Sequence, residues 1–227
     1  MSHLHIPDGV LPPLLWAPAL GLALLLVVIA GRRLGDEPRR LGFQAALGGL
    51  MLAVMSIPIP LFAFEYCLTL AGPVGVLLGA AAGFQTVFVV SLILALLGQG
   101  GLTVVGLNAL VMGAGAAIAR PAFVVARRRL AVAPALAVAT VATQVVSGAL
   151  WFALIALLVR LKPGASIFES GPASRAALLG GVALALWAVA IVVEAGVAYG
   201  VGRFVARVRP DLLPAPHAAS APAGEAA

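Results

Sequence analysis

Arg32-Arg33-Leu34-Gly35-Asp36-Glu37-Pro38-Arg39-Arg40 sets four arginines in nine residues between two apolar stretches, Val10 to Gly31 and Leu41 to Ser56. A helix needs about 20 predominantly apolar residues to cross the hydrocarbon of a bilayer. A short charged turn between two such stretches is therefore a loop at a membrane surface, and the same alternation continues to the end of the chain. The first stretch opens on Pro12 and Pro13, where proline suits the first helical turn because its missing N–H has no partner to lose. The second stops at Ile57-Pro58-Ile59-Pro60, since two prolines at that spacing end a helix.

Composition agrees. The chain has 227 residues, 63% of them hydrophobic and 10% charged, and its mean hydropathy is +1.13. A soluble domain carries roughly a quarter charged residues, so the chain reads as an all-α, polytopic membrane bundle. Abundant Gly and Ala suit helices whose backbones approach closely in lipid. The formal charge of +6 comes almost entirely from arginines beside apolar spans. That placement fits membrane topology and argues against a nucleic-acid-binding face.

Beyond Pro60, Leu61 to Cys67 reads as a surface or re-entrant loop. Two short apolar pieces come next, Leu70 to Gly83 and Phe84 to Leu97, then the glycine-rich break Gly98-Gln99-Gly100-Gly101-Leu102-Thr103. Further spans run from Val104 to Ala119, Leu130 to Val159 and Ala176 to Ala206, separated by Arg120 with Arg127-Arg128-Arg129 and by a loop holding Arg160, Lys162 and Arg175. These are seven candidate spans in one transmembrane domain over residues 1–209, with a Pro/Ala/Ser-rich tail at 210–227 expected to be disordered and cytoplasmic. With the N-terminus outside and the C-terminus inside, eleven arginines fall inside and three cations outside, as the positive-inside rule requires.

This orientation gathers the polar features on the outer face. Met1-Ser2-His3-Leu4-His5-Ile6-Pro7-Asp8-Gly9 carries two of the three histidines and lacks the basic n-region of a signal peptide. Small Ser2 favours removal of Met1, which makes His3 the second residue. A terminal amine, the next amide nitrogen and an imidazole can then close fused chelate rings on one ion, a donor set suited to Ni(II) or Cu(II) and, with more imidazole, to cobalt and zinc. The plainer reading is a polar leader with chance histidines. Cys67, the single cysteine, is either a small buried hydrophobe or a thiolate ligand. Asn108 is either a helix-end amide or a hydrogen-bond partner of the N-terminal segment, and Thr103 suits a helix N-cap. Glu194, within the last span, is a costly intramembrane carboxylate suited to a partner-subunit contact or to an interhelical hydrogen bond. Gln144 suits an interhelical hydrogen bond.

His5-Ile6-Pro7-Asp8-Gly9-Val10-Leu11 resembles the opening of the CbiM/NikM family, and Gly100-Gly101-Leu102-Thr103-Val104-Val105-Gly106-Leu107-Asn108 is similar to its Gly-Gly-Leu-Thr-x-x-Gly-x-Asn run. These are the substrate-specific membrane (S) components of energy-coupling-factor ABC transporters for cobalt and nickel in bacterial or archaeal plasma membranes. The resemblance implies a seven-span fold whose N-terminus tucks into the bundle. It implies Co2+ or Ni2+ as transported substrate, no cofactor, and metal ligands from Ser2, His3 and His5, with Asp8, Thr103 and Asn108 in support. It also implies a transmembrane coupling subunit and ATP-binding ATPases as partners, with a small accessory membrane subunit among the candidates. The family's further histidine, in a loop before the third span, maps onto Gly72 here, and Cys67 is the nearest soft donor. No Walker-type or hydrolase motif is present, so the chain reads as a transport subunit and not an enzyme. The alternative is a non-transporting membrane paralogue that kept the fold and lost tight metal binding.

Overall fold

The computed structural model describes residues 11–35, 37–57, 59–61, 64–161 and 173–214. Six helices run in order: α1 (Pro13–Leu34), α2 (Pro38–Met55), α3 (Ala71–Leu96), α4 (Val105–Ala126), α5 (Val132–Leu161) and α6 (Ala173–Val208). All but α2 are long and apolar enough to cross a membrane. The exception spends its first turn on Pro38-Arg39-Arg40. The described chain is helical except for a small ladder between α2 and α3, β1 (Ile59–Leu61) against β2 (Phe64–Tyr66), antiparallel with Pro60 opposite Glu65.

The two short apolar pieces expected as separate spans lie in one element, α3, and the break falls at Gly79 rather than at Gly83. Gly79 has φ 78° and ψ −179°, a combination open essentially to glycine alone. A Cβ on Gly83 would lie 3.5 Å from the Gly75 Cα, whereas eight residues of straight helix rise about 12 Å. The helix therefore folds back on itself. Neighbours on α4 agree: Gly75 abuts Ala116, Gly79 abuts the Arg120 side chain, and Phe84 has returned to the level of Gly113. Two arms result, residues 71–78 and 80–96, running in opposite directions.

Gly79→Ala is accordingly expected to destabilise the protein by about 1–3 kcal/mol through backbone strain alone. Thermal unfolding in detergent measures it, and an unchanged midpoint would refute a glycine-only bend. The first arm of α3 runs parallel to α4, and the second returns alongside it. Ala133 packs on Gly202 and Gly148 on Trp187, which sets α5 antiparallel to α6. Gly106 packs on Leu20 and Ala109 joins Ala23 in one cluster, which sets α1 parallel to α4. Together these contacts bring the arginines of the α1–α2 turn, the α4–α5 turn and the last turns of α6 to a single end.

α3 is the hub and touches every other helix. Its second arm packs Val87, Val90 and Leu94 with Met51 and Met55 of α2 and Met112 of α4. Its first arm sends Val76 into a second cluster with Phe123, Leu136, Ala139 and Ala198. Gln85 ties three helices together: it donates to the Val27 carbonyl of α1 at 3.1 Å and accepts from Gln44 Nε2 of α2 at 3.3 Å. α4 runs past Arg120-Pro121, the expected stop, for two further turns, because fully buried Phe123 anchors that end against α5. The C-terminal segment keeps its structure beyond the expected onset of disorder: Pro210–Leu212 forms a 3-10 turn and Leu213 packs on the same cluster. Arg209 and exposed Asp211 pair at 2.8 Å. The hydrogen bonds from Arg209 hold the Asp211 carboxyl below its usual range, so the pair persists at neutral pH and is lost only as acid protonates Asp211.

Candidate functional site

Four residues descend from β2 to the first arm of α3: Cys67, Leu68, Thr69 and Leu70. The Thr69 N–H donates to Glu194 Oε1 of α6 at 2.5 Å, and its hydroxyl accepts from Gln144 Nε2 of α5 at 2.9 Å. Glu194 lies fourteen residues before the end of α6 and Gln144 twelve residues after the start of α5. At 1.5 Å per residue both sit about 20 Å from the arginine-rich end, about two-thirds of the way across a hydrocarbon layer about 30 Å thick. Loop backbone at that depth exists only where protein supplies its hydrogen bonds, and Glu194 and Gln144 supply them.

The segment is also strained. Leu70 has φ 53° and is the one non-glycine residue with positive φ among the described residues, a conformation costly for a side chain branched at Cγ. Thr69 Oγ1 accepts from the Ala71 N–H at 3.3 Å, which closes the turn into α3. Around it α5 presents a buried polar face, Thr140, Gln144 and Ser147, spaced for one side of a helix. Thr140 bonds back to its own Leu136 carbonyl at 2.9 Å, so its hydroxyl needs nothing from across the interface.

Gly72, the position onto which the family's histidine maps, has no room for one. A Cβ there would stand 2.4 Å from Thr140 Oγ1 and 2.8 Å from the Thr140 Cα. The first arm of α3 is seated directly on the backbone of α5, and any side chain at 72 would push the two apart.

Of the site residues expected from sequence, Ser2, His3, His5 and Asp8 lie outside the described residues. Cys67 is half-buried, two residues before Thr69. Asn108 is 4% exposed in the first turn of α4. Thr103 stands one residue ahead of Val104, the N-cap of α4. Each of these three described residues, and Glu194, is engaged by a partner. Glu194 is 2% exposed. Its Oε1 accepts from the backbone N–H of Thr69, a residue of the loop ahead of α3. Thr69 itself carries no signal in the sequence, because a lone threonine among apolar residues does not announce a partner 125 positions away. Among the described residues no group of three or more His, Cys, Asp or Glu converges as a metal site.

A family model described as the cobalt uptake substrate-specific transmembrane region matches residues 5–212. No curated protein is similar enough to match. A solved structure described as the crystal structure of a transition metal transporter superposes with a TM-score of 0.69 at 18% identity, over 90% of this chain and 93% of its own. At that identity the likeness speaks for the fold.

Proposed function

Since the chain belongs to the CbiM family of cobalt uptake substrate-specific transmembrane regions, we propose that it is the substrate-binding membrane subunit of an energy-coupling-factor transporter for Co2+ or Ni2+. The family match over residues 5–212 carries this reading. Support comes from a polar cluster at half-buried Cys67 and buried Thr69, Gln144 and Glu194, joined by hydrogen bonds that meet on Thr69. In lipid such groups are expensive and mark pathways and binding sites.

Metal is captured at the end opposite the arginines, which the positive-inside rule makes the outer face. The Ser2 amine, the following amide nitrogen and His3 form the chelate, with His5 and the Cys67 thiolate as further donors and Asp8, Thr103 and Asn108 in support. A thiolate in place of an imidazole shifts preference toward softer ions, nickel before cobalt. A transmembrane coupling subunit and ATPases supply the energy, because this chain has no nucleotide-binding motif.

The test is metal binding by the purified protein with its native N-terminus. Ni2+ and Co2+ are expected to bind at micromolar concentration or below, and Ni2+ to show a near-ultraviolet thiolate band that Cys67→Ser removes. If neither ion binds, the transport reading falls. If both bind without the band, Cys67 is a spectator.

A further inference from the structure

We propose that Glu194 is a positioning residue: with Gln144 it latches the Thr69–Leu70 turn between α5 and α6, and so fixes where Cys67 stands relative to the bound metal. This rests on the functional reading above for its metal part, while the latch itself is a statement about the segment alone.

Three observations converge on it. The turn is strained at Leu70, with φ 53° and no glycine to relieve it, and such a conformation persists only where surrounding structure over-determines it. The two contacts that hold it come from two different helices and meet on one residue: Glu194 Oε1 accepts from the Thr69 N–H at 2.5 Å, and Gln144 Nε2 donates to the Thr69 hydroxyl at 2.9 Å. Glu194 meets this turn one residue ahead of Leu70, the N-cap of the α3 arm, at the end where the helix dipole favours negative charge. Glu194 is thereby employed by the backbone, which distinguishes it from a carboxylate kept for a cation. Cys67 is two residues from the latched N–H, too close to move independently of it.

Labelling of Cys67 by a membrane-impermeant maleimide, in the full-length protein in nanodiscs without metal, reads the latch directly. Glu194→Ala removes the acceptor and is expected to label about tenfold faster, the shift expected on losing a hydrogen bond to a charged group. Glu194→Gln keeps an amide oxygen facing Thr69 and is expected to stay within about threefold of wild type. Gln144→Leu removes the second contact, is expected to fall between them, and serves if Glu194→Ala does not fold. Ni2+ affinity is expected to keep the same order.

Wild-type labelling in both Glu194→Ala and Gln144→Leu would overturn the latch. So would equal loss of Ni2+ affinity in Glu194→Gln and Glu194→Ala with labelling unchanged, since the carboxylate would then touch the metal itself. If the wild-type protein binds no metal, the transport reading fails, and the labelling rates still decide the latch.

Discussion

Gly75→Ala is expected to prevent the bundle from forming, or to lower its melting temperature by about 10 °C or more. A Cβ on Gly75 would lie 2.2 Å from the Ala116 carbonyl oxygen and 2.9 Å from the Ala116 Cα. Both are backbone atoms in the middle of α4, so no side chain can rotate away and one helix must move. Overpacking of this kind costs typically 1–3 kcal/mol and more where backbone is displaced, and each kcal/mol is worth about 2–4 °C in a chain of this size. Gly49→Ala on α2 is the control, because nothing lies within 4 Å of its Cβ position. It should be neutral or gain up to about 1 kcal/mol from reduced backbone freedom. Similar melting of the two variants, by fluorescence-detected size exclusion after heating, would mean that the first arm of α3 is not seated on α4.

Extending the N-terminus by three residues ahead of Ser2 is expected to weaken Ni2+ binding by about 100-fold, roughly 2.7 kcal/mol. The proposed chelate needs a free amine one peptide bond before His3, and an extension turns that amine into an amide and moves the charge away. His3→Ala is expected to do comparable damage through the imidazole. Titration calorimetry on variants with confirmed mature termini reads both. Unchanged affinity on extension would remove the amine from the ligand set and leave His3, His5 and Cys67 to be tested as side-chain donors.

Much of the fold is legible in the sequence because membrane helices announce themselves. The arginine turns at residues 32–40 and 127–129 and the apolar runs between them locate α1, α2, α4, α5 and α6 to within a turn or two. The region between Pro58 and Leu97 is harder for a physical reason. It holds several glycines, any of which could break a helix, and nothing local distinguishes Gly79, whose φ is positive, from Gly83, which packs against Gly75. The β1–β2 ladder is hidden by its prolines, which read as the end of a helix and carry little information about the residues after them. Glu194 is legible as a buried charge. Its partner is not, because the bond to Thr69 depends on how deep the α3 arm lies, and that depth is set by glycine contacts with Thr140 and Ala116. The N-terminal candidates rest on motif and chelate chemistry.

The folded-back α3 has a consequence for how the protein is made. Its first arm has eight residues, about 12 Å of helix, far short of what lipid accepts as a span. Its seats, Ala116 and Thr140, come some 40 to 70 residues later in the chain. At the ribosome the arm therefore has nowhere to go when it emerges. Its slot is complete only once α4 and α5 are in place, and its own glycines let it fit there. The contacts that seat this short arm therefore join residues out of sequence order, with its partners following it in the chain.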